Sequence, residues 1–174
     1  METIALKTKS NEMHTLVGTK RPNWLALVVV GWVLLLGFSF YEKLRPASDW
    51  MEVHSLTIAN TVIGSDPVMD YKREIKQPFA GHWISEVQIQ NKSGKWTATC
   101  IATGVANYSP DKEPPDPLTL KWWTYPIDCT PTTPGFYRVV TTWQINWPGE
   151  RLSPDNQLSK QTSVTSNTFR VAGL

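Results

Sequence analysis

The stretch that decides the fold is LKWWTYPIDCTPTTPGFYRVVTTWQINW, residues 120–147. From Phe136 onward it alternates: Tyr137, Val139, Thr141, Trp143, Ile145 and Trp147 fall on one side, and Arg138, Thr142, Gln144 and Asn146 on the other. Side chains that change face at every residue describe a half-buried β-strand. The Pro134-Gly135 step just before it marks a turn.

Working outward, the same period recurs in short runs separated by turn residues. EVHSLTIANTVI (52–63) is a first strand, stopped by Gly64, Asp66 and Pro67. VMDYKREIKQ (68–77) puts Met69, Tyr71 and Ile75 on one side, with Lys72, Arg73 and Lys76 expected on a solvated face. WISEVQIQ (83–90) turns through NKSG into KWTATCIAT (95–103), where Trp96, Ala98, Cys100 and Ala102 share the inward face. YSPDKEPPDP (108–117), crowded with prolines and acids, reads as a loop because proline cannot pair in a central strand. LTLKWWTY (118–125) resumes the alternation, with Leu118, Leu120 and Trp122 on one face and Thr119, Lys121 and Trp123 on the other. A polar connection (148–163) leads to a last strand around Phe169 and Val171. Seven short strands without a soluble helix predict a mainly β chain, an antiparallel β-sandwich over residues 52–174.

Residues 1–22 are polar and read as a short cytoplasmic tail. They are followed by NWLALVVVGWVLLLGFSFY (23–41). From Pro22 to Tyr41 no residue is charged, and twenty such positions in a helix reach about 30 Å, the thickness of a bilayer's hydrocarbon layer. The segment is too long, and too far from the start, for an ordinary cleaved signal, so an uncleaved transmembrane signal anchor is expected. Lys7, Lys9, Lys20 and Arg21 before it outweigh Lys43 and Arg45 after it. That bias puts the N-terminus in the cytoplasm and the C-terminal domain in the periplasm or outside the cell. Residues 42–51 form a juxtamembrane connector, in which Trp50 has two destinations, the membrane interface or the fold.

Cys100 and Cys129 both follow the apolar segment, and two thiols delivered to an oxidising compartment are expected to pair. Beyond Pro46 the chain carries eleven basic and twelve acidic residues, a balance without the cationic field of a nucleic-acid binder.

PGFYRVVTTW resembles the entry to the penultimate strand of immunoglobulin-like and fibronectin-like domains, where a turn precedes a tyrosine that bonds back to the backbone. The resemblance implies an Ig-like sandwich with Tyr137 as the tyrosine corner. In antibody domains a cysteine lies two residues after that tyrosine; here Val139 stands there and Cys129 precedes the turn. The whole plan, a short tail, one anchor and a small sandwich, is similar to small single-pass bacterial or phage envelope proteins.

For chemistry the chain offers little. His14, His54 and His82 are scattered, with His82 expected in a turn, and no H-E-x-x-H, G-x-S-x-G or C-x-x-C pattern occurs. No metal site, cofactor or enzymatic activity is expected. Asp111, Glu113 and Asp116 share the proline-rich loop and read as solvated. Asn91-Lys92-Ser93 and Asn107-Tyr108-Ser109 are sequons. Adjacent tryptophans in a strand must face opposite ways, so Trp122 and Trp143 are expected in the core. Trp123 with Lys121 beside it, and Trp147 at the strand end, are left as the three partner-binding candidates. The expected function is a membrane-anchored β-sandwich that binds or assembles with other envelope or virion proteins, through a sheet face or the loops at 108–117 and 148–163. The alternative is a glycan- or peptidoglycan-binding module that uses the exposed tryptophans.

Overall fold

The computed structural model describes residues 23–146 and 160–173. The chain divides between Leu44 and Arg45 into two units. The first holds helix α1 (Trp24–Leu44), 21 residues or about 31 Å long. Its apolar side chains are exposed all round, and its length and composition are those of a membrane-crossing helix; a signal sequence has the same properties.

The second unit is built from two sheets. In chain order its elements are β1 (Met51–Ile58), β2 (Thr61–Val62), β3 (Val68–Ile75), β4 (Phe79–Gln90), β5 (Trp96–Tyr108), β6 (Leu118–Thr119), α2 (Leu120–Trp123), β7 (Gly135–Asn146), β8 (Lys160–Thr165) and β9 (Phe169–Ala172). One sheet runs β1-β3-β6; the other runs β2-β9-β7-β4-β5, with β8 also on β7. β8 and β9 share one edge of β7. β9 pairs with Gly135–Tyr137 and β8 with Val140–Ile145. At the break between them Ser166 stands in for a strand residue: its amide donates to the Val139 carbonyl at 2.8 Å, and its hydroxyl accepts from the Val139 amide at 2.9 Å.

The expected first strand is two strands. β1 lies in the small sheet, and after Ala59 and Asn60 the chain crosses to pair β2 with β9 in parallel, so the sandwich is not wholly antiparallel. Polar side chains make the crossing. The Asn167 amide takes the Ile58 N–H at 2.7 Å and donates to the Ile58 carbonyl at 3.1 Å, and Asn60 Oδ1 accepts from Arg170 N at 2.7 Å. They satisfy backbone groups that would otherwise be stranded where β1 ends.

β3 and β7 have the inward faces their alternation predicts, except that Arg73, expected on the solvated face, is half-buried against Tyr71 and Tyr108. In the β4–β5 hairpin a bulge at Val87 and Gln88 shifts the register, so Cys100 and Ala102 keep the inward face while Ala98 is exposed and Trp96 lies beneath the outward Arg138 guanidinium. Tyr71, Val87, Ala102, Tyr137, Val139, Trp143 and Ile145 are all buried. Asn91 Oδ1 caps the hairpin turn by accepting from Ser93 N and Lys95 N. Gly94 there adopts φ +79°, a conformation that only glycine takes readily. Tyr137 Oη donates to the Thr133 carbonyl at 2.9 Å, the backward bond expected of it, and its ring packs 5.9 Å from Phe169. Trp50 belongs to the fold, buried beneath the Arg45 guanidinium at 4.5 Å and the Lys160 ammonium at 4.0 Å.

Further expectations fail. His82 lies within β4, not in a turn. Residues 160–163 belong to β8 rather than to a connection. The run 118–125 is a strand for only two residues, after which α2 begins. Thr119 Oγ1 accepts from Trp122 N at 3.4 Å, Asp66 Oδ1 takes Lys121 N at 2.9 Å, and Thr124 Oγ1 donates to the Leu120 carbonyl at 3.0 Å. These side chains occupy the groups that a strand partner would have needed, and the backbone coils instead.

Candidate functional site

A helical step of about 100° per residue replaces the strand's reversal, and the two tryptophans change places. Trp123 is 9% exposed and Trp122 is 53% exposed, the opposite of the sequence expectation. The Trp123 indole N–H donates to Thr141 Oγ1 at 2.9 Å, and Thr141 and Ser85 join their hydroxyls at 2.7 Å, so a buried polar pair holds the ring down. Tyr71 meets Trp123 edge-on at 4.8 Å and stacks on Trp143 at 6.0 Å.

Above these rings opens a cleft of about 490 Å³. Its existence follows from strand register. Trp83 sits between Gly104 of β5 and Trp143 of β7, and one row along Ser85 sits between Ala102 and Thr141. Inward positions on β5 are therefore small, Ala102, Gly104 and Ala106, and leave space that larger residues would fill. Gly104 is obligatory here: a Cβ would fall 2.6–2.8 Å from atoms of the Trp83 indole, which lies on the strand backbone. Trp122, Tyr125 and Pro126 form the opposite wall, and Tyr108, Arg73 and the Lys112–Pro114 segment close one end.

The wall is fastened to the sheet by the expected disulfide. Cys100 of β5 is bonded to Cys129 of the segment after α2, with Cα atoms 5.6 Å apart. Behind it, Asp128 accepts from the Thr130 hydroxyl and amide and from Lys121 Nζ at 3.1 Å, bonds that hold its carboxyl down at about 2. Lys121 is thus paired on the outside of the turn and does not line the cleft. Trp147 lies outside the described residues. At the closed end burial dominates: the Tyr108 hydroxyl is pushed up to about 12 despite the Trp143 N–H it accepts at 3.1 Å, and burial raises Tyr71 further still.

Among the described residues no group of acids, histidines and cysteines is arranged to hold a metal ion. Of the acids in the proline-rich loop, Glu113 reaches the cleft. The site missed from sequence is the combination of Trp83, Gly104 and Tyr125. The available signal was the run of small residues on the inward side of β5. No protein-family model, curated protein or solved structure matches this chain.

Proposed function

We propose that the chain is a single-pass membrane protein, N-terminus in the cytoplasm, that displays an Ig-like sandwich as a glycan-binding module. The anchor is supported by α1, which from Trp24 to Tyr41 carries no charge and suits lipid on every side. The Ig-like plan is supported by the order β2-β9-β7-β4-β5 against β1-β3-β6, by the parallel β2–β9 pair and by the Tyr137 bond to Thr133.

The observation that carries the function is the cleft itself: exposed faces of Trp122 and Tyr125 opposite Trp83, above a floor of small residues, in a volume suited to a sugar ring. Aromatic faces stack on the apolar faces of pyranoses, and a few polar groups at the rim set orientation. Binding, with no bond-breaking step, is the chemistry this lining supports. The full-length protein in detergent, titrated calorimetrically with glycans including peptidoglycan fragments, should bind at least one of them. Trp122→Ala should abolish that binding. Binding unaffected by Trp122→Ala would refute the reading.

A protein partner in an envelope or virion is favoured by one separate feature. β5 runs for thirteen residues without a charge, and among the described residues only β4 pairs with it. An uncharged edge of that length invites a further strand. Cross-linking from Thr97 and Thr103 variants carrying a photoreactive group would capture such a neighbour.

A further inference from the structure

Resting on the glycan reading, we infer that the cleft selects an anionic sugar and that Arg73 receives its acidic group. Arg73 comes from β3 and is half-buried at the closed end of the cleft. Its guanidinium carbon lies 5.3 Å from the centre of the Tyr71 ring and 5.4 Å from that of Tyr108, and Nη2 donates to the Lys112 carbonyl at 3.2 Å. Two rings and a carbonyl therefore fix the plane of the fork.

What the fork lacks is a counter-charge. Among the described residues the ion pairs join Arg45 to Asp49, His54 and Lys76 to Glu52, and Lys121 to Asp128; none includes Arg73. Glu113 and Asp116 border the neighbouring depression, on whose lining Arg73 also lies, without pairing with it. A guanidinium carries five N–H donors, and one is used here by a protein acceptor. Taking a cation partly out of water without pairing it is costly. The same fork binds a carboxylate or phosphate through two parallel hydrogen bonds. A ring lying between Trp83 and Trp122 with an acidic substituent turned toward β3 would satisfy both features at once. Lys112 at the rim adds a second positive charge and Glu113 offsets one, leaving the mouth net positive.

The test is an array of glycans printed as matched pairs: uronates against their methyl esters, and phosphorylated sugars against their parents. It is probed with full-length protein in detergent and followed by calorimetry on the best pair. The acidic member should bind about tenfold or more tightly than its neutral partner. Arg73→Gln should bring the acidic sugar down to the affinity of the neutral one, while Arg73→Lys should restore only part of the difference. The uronate and phosphate arms show which acid is preferred. Equal affinity of the unmodified protein for both members of every pair overturns this inference and leaves the glycan reading standing, and that comparison does not depend on the variants folding. Binding to no spot overturns both.

Discussion

The interior has two ends built on different principles. Around Tyr137, Val139, Phe169 and Val171, on the paired strands β7 and β9, the residues are closely packed, each 2% exposed or less. Over β4 and β5 the smaller sheet gives only partial cover, Tyr71 and Arg73 of β3, and β6 supplies only two residues. A four-residue helix and a disulfide-held segment supply the rest. Paired sheets exclude solvent along their whole length, whereas a short cover anchored at a few points leaves a gap. Here the gap is lined with tryptophan. The difference teaches that the cleft belongs to the covering segment as much as to the sheet, so the two ends should respond separately to mutation.

Removing the staple tests this most severely. Cys100→Ser with Cys129→Ser frees a connection of 29 residues, and chain entropy alone predicts a loss of about 3–4 kcal/mol in denaturant unfolding. Hydrogen exchange should rise first in residues 120–134, with β7 next to β9 affected least; uniform loss would erase the distinction between the ends. Gly104→Ala attacks the floor. Displacing the Trp83 indole should cost about 1–3 kcal/mol and weaken ligand binding together. Tyr137→Phe acts at the closely packed end beside Phe169, where loss of the bond to the Thr133 carbonyl should cost about 1 kcal/mol and leave cleft binding untouched. Trp122→Ala should change stability by less than about 0.5 kcal/mol, since the side chain is largely in solvent, yet it should remove binding.

The smallest effect concerns acid. Because the folded state holds the Asp128 carboxyl below its ordinary 3.8, at about 2, it contributes stability above the unfolded value, and that contribution fades as pH falls from about 4 through 2. Asp128→Asn should therefore flatten the acid limb of the stability profile over that interval, read by the thermal midpoint against pH. An unchanged acid limb would mean that Thr130 and Lys121 do not hold the carboxylate in solution.

How much of this was legible depended on whether local residues or distant ones decide each element. α1 and β7 are written in their own composition and period, and the β4–β5 turn in Asn91 and Gly94. Residues 118–125 alternate as well as any strand, but Asp66, more than fifty residues earlier, takes the Lys121 amide and helps to turn the chain into a helix. That distant partner is invisible to a pattern of apolar residues, and the error reversed the two tryptophans on which the functional reading turned. The break at Ala59 likewise depends on Asn167 from the far end of the chain. The cleft needs the register that sets Trp83 against Gly104; the small residues on β5 were plain to see, but what faced them was not.

The most direct test of the central claim, that the aromatic cleft is where this protein meets its ligand, uses fluorine NMR. The intact protein is labelled with 5-fluorotryptophan in detergent micelles, its resonances assigned by single substitutions, and it is titrated with the best-binding glycan. Trp122 and Trp83 should shift and saturate together, while Trp50, packed between Arg45 and Lys160 away from the cleft, should stay fixed. Saturable binding that moves other tryptophans and leaves Trp122 and Trp83 where they began would contradict the account.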